Sequence, residues 1–505
     1  MLLVFIAIKI PALHYPFYLD ESWSYAPGVK LMYQHGPSLM PNAIDLFYSR
    51  GHPLLFYTTA ATWMKLFGAS HIAQHTFSLL VSLFLIIAVY EVCSQLFNKR
   101  VALISLLLLP LQVIFFVQST MLLPEVMIAL FSLLTLYFYV KGKYLFTFLC
   151  CSALVLTKES GMVMGLVLGI HASANLLNKK ETWNERLKSF LSIFSAGVLI
   201  GIFYLVQKHI NGWYLFPEHI GMIDWDWNVF WKKMKFSLEV LFYQDYRFRL
   251  CGLLFLLAIV VAIHLKDLRY ATPLLPGYLI YAIAEDRFSF MPRVFLLVIM
   301  LLSLVYTVYQ LVNLSGIKAT ATKRFIYLCV LFMIAYLLFS CINFFTARYL
   351  VCILVIELIL LAAYFMLYIS MLYDLIFYLT IACIALTGFY GYKYDNGLKD
   401  INRGAFDAMT VQENVVSYFE KEHLYGKNIF ASFPNREHLQ KPFTGFLHTD
   451  SVFKNVGFEI TDNMEYFIID NIDSVQQNNY IKTNKAYQLV FKTTKGMAWA
   501  EVYKK

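Results

Sequence analysis

Apolar runs of roughly 17–25 residues, broken by short polar segments, recur from Met1 to about Tyr390, and as helices each could cross a hydrocarbon core about 30 Å thick. Read in order, they predict about thirteen spans, near 1–17, 72–97, 101–117, 125–140, 144–157, 161–177, 189–207, 250–265, 271–285, 293–313, 325–343, 350–371 and 375–391. The first run is short for a span, as expected of a helix that begins upstream of Met1. It has neither the basic start nor the small-residue cleavage site of a signal peptide. From about 392 the pattern changes. Residues 409–423 carry a helical period, and 465–469, 487–491 and 499–503 are enriched in β-branched and aromatic residues, as strands are. The expectation is an all-α polytopic membrane domain over 1–391, with juxtamembrane helices in the loop 18–71, and a small α/β domain over 392–505. No internal repeat or low-complexity tract is visible.

Composition sharpens this picture. Of 505 residues, 59% are hydrophobic, 17% aromatic and 14% charged, which excludes a single water-soluble enzyme and a disordered chain alike. The net charge of +9 does not point to nucleic acid, because no basic segment is long enough to track a phosphate backbone. It follows instead from short basic loops: 98–100, 141–143, 179–188, 266–269 and 318–324. If the first helix leaves the cytoplasm, all of these fall inside, as the positive-inside bias demands. The loops 18–71, 118–124, 158–160, 208–249, 286–292 and 344–349 and the tail then lie outside a plasma or inner membrane. One outer loop, 208–249, is itself rich in Lys and Arg. Its stretch 225–242 reads either as an amphipathic helix whose lysines meet lipid phosphates or as a solvated polar face. The eight cysteines lie in or beside apolar runs without metal-ligand spacing, and none follows Tyr390.

In so apolar a chain, acids at membrane boundaries attract notice. Asp20-Glu21 follows the first span directly. Such a pair suits general-base chemistry or cation binding; the structural alternative is a solvated loop or a helix cap at Asp20. Glu125 opens a span after Leu123-Pro124, where it would also complement a helix dipole. Lys158-Glu159 lies between two short spans, where a local ion pair is the bland reading. Basic and hydrogen-bonding groups share the outer side: Arg50-Gly51-His52-Pro53, His219, Asp286-Arg287 with Arg293, and Arg348-Tyr349. Lys and Arg at such depths often only snorkel, but a lipid phosphate held there would need these donors. The convergence of weak signals on one face carries the reading.

The order of Lys9, Asp20-Glu21, RGHPLLFY (50–57), LLPE (122–125), LTKESG (156–161) and ARYL (347–350) resembles the GT-C membrane glycosyltransferases. Within them it is similar to the branch of protein O-mannosyltransferases and the lipid A aminoarabinose transferase. The likeness covers about 1–350 and is strongest over 9–165. It implies a thirteen-span fold with an extracytoplasmic tail domain. It also implies transfer of a sugar from a polyprenyl-phosphate donor to a protein, lipid or glycan acceptor outside the membrane, by inverting single displacement. On this resemblance Asp20 is the base, with Glu21 beside it and Glu125 assisting. His52, where relatives often carry Lys, contacts the donor phosphate with Arg50, Lys158 and Arg348, while Glu159, His219 and Tyr349 complete the substrate site. No metal cluster appears; the cofactor left open is a divalent cation, Mg or Mn, between Asp20 and Glu125, as in relatives that transfer oligosaccharides. Two other functions remain open. An oligosaccharyltransferase or oligosaccharide ligase shares the fold, but the tail lacks a WWDY-type motif and Asp224-Trp225-Asp226-Trp227 lies elsewhere. A secondary transporter would carry mid-membrane acids in repeated halves.

Overall fold

The computed structural model describes residues 1–179, 181–285, 287, 293–314, 319–472 and 477–505; Lys180, Asp286 and Lys318 of the loops above lie outside the described residues. Each predicted apolar run is helical. Among the described residues, seven helices are long and apolar enough to cross a membrane: His71–Leu96, Trp183–Asn211, Gln244–Leu265, Arg293–Leu314, Thr320–Ile342, Ala347–Ile369 and Asp374–Tyr394. The chain is an integral membrane protein. Shorter apolar helices, such as Glu125–Val140 and Tyr144–Thr157, join them. A helix of 14 residues is about 21 Å long, less than the hydrocarbon core, so length alone does not assign it as a span. The run near 101–117 is two helices, Lys99–Leu108 and Val113–Gln118, because Pro110 between them lacks an N–H and cannot continue the ladder.

The helix Val351–Ile369, apolar all round but for Glu357, is buried on every face, at the centre of the bundle. The stretch expected over 225–242 is the helix Trp227–Phe242, capped by the Asp226 carboxylate, which accepts from the N–H groups of Asn228 and Val229. Its apolar side, including Trp231, Met234 and Leu238, is buried, and it packs on Thr320–Ile342. Lys233 donates from Nζ to the Asn343 carbonyl at 2.7 Å, so this lysine serves an internal contact.

The tail holds a helix, Ala405–Lys421, over a five-stranded sheet. The strands are β1 (Ile429–Ala431), β2 (Val456–Gly457), β3 (Tyr466–Asp470), β4 (Gln488–Lys495) and β5 (Ala498–Lys504), in the order β2-β1-β3-β5-β4. β1 runs parallel to β2 and β3, whereas β5 is antiparallel to β3 and β4. β3, β4 and β5 match the expected strands. β1 and β2 carry too few residues for a period of two to show. One apolar cluster runs from Val415, Phe419 and Phe446 of the tail into Phe17, Tyr18 and Phe56 of the segment after the first helix. Two hydrogen bonds tie the same parts: Phe17 N–H to the Thr444 carbonyl (2.8 Å) and the Tyr18 hydroxyl to the Leu398 carbonyl (2.6 Å).

Candidate functional site

The site begins with a chain reversal after the first helix. Leu19 takes a left-handed backbone (φ 46°), which is uncommon for its side chain, and the turn Glu21–Tyr25 follows. The reversal separates the two acids. Glu21 is fully buried and faces the protein: it accepts from the N–H groups of Tyr18 (3.1 Å) and Leu122 (2.5 Å) and lies 3.2 Å from Nε2 of His75. It pins the turn and does not line the cavity described below. Asp20 is not a helix cap. Its carboxylate accepts from the Trp23 indole at 2.9 Å and from the Arg348 guanidinium, with its side chain one-third exposed (33%).

Arg348 lies in the short turn Ala347–Leu350 and is buried. Its NH2 holds Asp20, its NH1 holds Asp400, and its Nε is 3.5 Å from Oε1 of Glu125. That same Glu125 oxygen is 3.2 Å from Nζ of Lys158, which sits 4.0 Å over the Tyr349 ring. Three carboxylates therefore share two buried cations. Burial works against ionisation of Asp20, but the Arg348 charge and the hydrogen bonds from Trp23 and Arg348 outweigh it and hold the carboxyl below its usual value. At Asp400 burial wins over Arg348, with Asp20 adding repulsion, and the carboxyl is raised. Arg348 occupies the space between Asp20 and Glu125 where a Mg or Mn ion was the option from sequence.

A second charged group gathers around Glu159. His52 Nδ1 is 2.7 Å from Glu159 Oε2, and His219 Nδ1 is 3.9 Å from Glu159 Oε1. The two imidazoles stand 4.9 Å apart, tilted by 31°. Burial would raise the Glu159 carboxyl, but His52, Lys158 and His219 bring it down to about 2. Burial, reinforced by His52, lowers His219 to about 4. The ligand atoms of His52, Glu159 and His219 lie within 4.8 Å of one another, a nitrogen and oxygen set that could hold a divalent ion. Gly51 sets the loop: its φ is +70°, and a Cβ there would meet the Trp213 ring at 2.8 Å. Arg50 pairs with Glu218 at 2.7 Å and stacks over Trp23.

Both groups line one cavity of about 550 Å³. Asp20, Lys158, Arg348 and Tyr349 line it together with Arg50, His52, Glu159 and His219, with apolar walls from Met162, Phe339, Ile342 and Phe344. Glu125 stands behind Arg348 and Lys158. Such a space can take an anion on its cations beside an apolar chain. Three sequence candidates lie apart. Lys9 is buried with its Nζ on the Phe116 carbonyl (2.7 Å), Arg287 reaches the Tyr281 hydroxyl (3.4 Å), and Arg293 bonds Asn228 (3.0 Å). Asp286 lies outside the described residues. Asp400 was missing from the sequence candidates. Its only signal was an acid shortly after the last span, with no motif around it.

Residues 51–206 match the family model described as dolichyl-phosphate-mannose-protein mannosyltransferase, a range that includes His52, Glu125, Lys158 and Glu159. Among solved structures the chain is similar to the crystal structures of ArnT from Cupriavidus metallidurans, in the apo state and bound to undecaprenyl phosphate. In both cases the identity is 14%, the alignment covers 99% of this chain and 97% of that one, and the TM-score is 0.43. No curated protein matches the chain in sequence.

Proposed function

We propose that the protein is a membrane glycosyltransferase that moves a hexosyl or pentosyl unit from a polyprenyl-phosphate donor to an acceptor outside the membrane, the acceptor being a protein, a lipid or a glycan. The observation that carries this reading is the meeting of Asp20 and Glu125 on Arg348, with Lys158 beside them, in one cavity with apolar walls. The match of residues 51–206 to a family of lipid-phosphate sugar transferases supports it.

In the proposed step, Asp20 takes the proton of the acceptor hydroxyl or amine. The new bond forms at the anomeric carbon as the bond from that carbon to the phosphate oxygen breaks. The bonding pair goes to the phosphate, which leaves as the polyprenyl monophosphate, and the sugar inverts. Arg348 and Lys158 hold the charge that develops there, as buried preorganised cations do well. His52 and Arg50 flank the same space. The Arg348 contact keeps the resting Asp20 a weak base. A phosphate that draws on Arg348 weakens that contact, so the proton affinity of Asp20 rises when the donor is bound. Arg348 and Lys158 supply the positive charge at this point.

The orientation follows from charge: the short basic loops lie inside and the cavity and tail outside. The test is Asp20→Asn in a strain lacking the native protein, with mass spectrometry of envelope glycans and lipids. The wild-type chain should restore a modification that Asp20→Asn, present in the membrane at equal level, does not. Full restoration by Asp20→Asn would remove the base.

A further inference from the structure

Asp400 reaches the candidate reaction centre from a part of the chain that the chemistry above does not use. It lies between the helices Asp374–Tyr394 and Ala405–Lys421, at the junction of the membrane bundle and the tail. Three hydrogen bonds fix this junction. The Tyr18 hydroxyl donates to the Leu398 carbonyl (2.6 Å), Gln118 Nε2 to the Asp400 carbonyl (2.7 Å), and Lys399 Nζ to the Ile472 carbonyl of the tail (3.1 Å). The Asp400 carboxylate is buried and holds NH1 of Arg348, while NH2 goes to Asp20. Asp20 and Arg348 line the cavity; Asp400 does not. The guanidinium is thus held from behind by one acid and from the cavity side by another.

These two acids differ in what an incoming phosphate can do to them. Asp20, one-third exposed, is within reach and can yield its share of Arg348. Asp400 cannot be displaced through the cavity, and it stays as a negative charge on the far side of the same guanidinium. Like charges on opposite sides of one cation, in a site poor in water, repel enough to change an affinity by about tenfold.

Building on the transferase reading, we propose that Asp400 is a positioning residue that acts through Arg348. It holds the guanidinium fork facing the cavity and draws off part of its charge, so that the polyprenyl monophosphate left after transfer is bound weakly enough to leave. The junction with the tail domain thereby sets the affinity of the membrane site for lipid phosphate.

The experiment measures binding and dissociation of undecaprenyl phosphate on the full-length protein in detergent, for the wild type, Asp400→Asn and Asp400→Glu. Asp400→Asn should bind about tenfold tighter and release more slowly, and Asp400→Glu should return both towards wild type. A merely structural ion pair would not tighten binding when broken. Unchanged or weaker binding by a folded Asp400→Asn overturns the proposal. Should that variant fail to fold, hydrogen exchange on the wild type decides. Saturating undecaprenyl phosphate should speed amide exchange over 396–404, because the phosphate takes charge that held Asp400; unchanged or slower exchange there overturns it. A wild-type protein that binds no undecaprenyl phosphate at all overturns the transferase reading itself, a result distinct from both.

Discussion

The two charged clusters at the cavity hold charge in different ways. Around Arg348, three acids and two cations are joined directly, all buried except the one-third exposed Asp20, and anchored on five separate stretches of chain: the turn after the first helix, the start of Glu125–Val140, the junction at Lys158, the turn Ala347–Leu350, and the segment before the tail. In the other group His52, Glu159 and His219 meet on one carboxylate, and two of the three are imidazoles. The first group keeps fixed charge over the whole physiological range, because a guanidinium does not titrate there. The second sets an ionised Glu159 against His219, which burial keeps neutral in the folded protein at physiological pH. Fixed positive charge suits a phosphate that must be held in every cycle, and a neutral imidazole beside a carboxylate adds hydrogen-bonding groups without adding positive charge.

Arg348→Met breaks the comparison most directly. It leaves Asp20, Glu125 and Asp400 without the cation they share, and removing one member of a buried ionic set destabilises by about 3–5 kcal/mol. The expected result is loss of transfer together with a large drop in the thermal unfolding midpoint in detergent. Adding Asp400→Asn to Arg348→Met should recover part of the midpoint, since one uncompensated carboxylate is then gone. A midpoint equal to wild type in the single variant would mean that the cluster is hydrated and only loosely joined.

This contrast was half visible in the sequence. Glu125, Lys158 and Arg348 stand out because each is a charge at the edge of an apolar run, where charge is expensive. Their convergence needs only that those edges share one end of the bundle. The opposite facing of Asp20 and Glu21 could not be read, because it depends on the left-handed backbone at Leu19, for which a leucine gives no warning. Asp400 was hidden for another reason. It enters the site through tertiary docking of the tail, by the Tyr18, Gln118 and Ile472 contacts, and no local pattern encodes contacts of that separation. The helices followed from periodicity and the longer strands from composition, whereas β1 extends the parallel edge that β3 offers and β2 in turn extends β1.

Gly51→Ala tests whether the second group depends on its loop. An alanine at φ +70° meets the left-handed penalty of about 1–2 kcal/mol, and its Cβ would press on the Trp213 ring. Relief of that contact moves His52, the next residue, away from Glu159. The expected outcome is a moderate loss of stability with weaker undecaprenyl phosphate binding, read by thermal unfolding and by titration. Wild-type values for both would detach the loop from the site.

The smallest effect concerns pH, and its sign follows from His219. Burial lowers this imidazole to about 4, so the folded protein prefers it neutral while the unfolded chain, with an ordinary histidine, takes up a proton near pH 6.5. The stability that His219 contributes is therefore fully present above pH 6.5, declines as the pH falls towards 4, and changes no further below it. Glu159 has the opposite charge and a far lower window. Lowered to about 2, it contributes stability above the usual carboxylate range and loses it only as the pH falls through that range towards 2. Between pH 7.5 and 5 the histidine alone of this pair is in its window. In a buffer containing EDTA, the unfolding midpoint of His219→Gln should fall less than that of wild type over this interval, and the two chains should keep a constant offset above pH 7. Parallel curves down to pH 5 would mean that His219 titrates as an ordinary solvated imidazole and that burial does not hold it neutral.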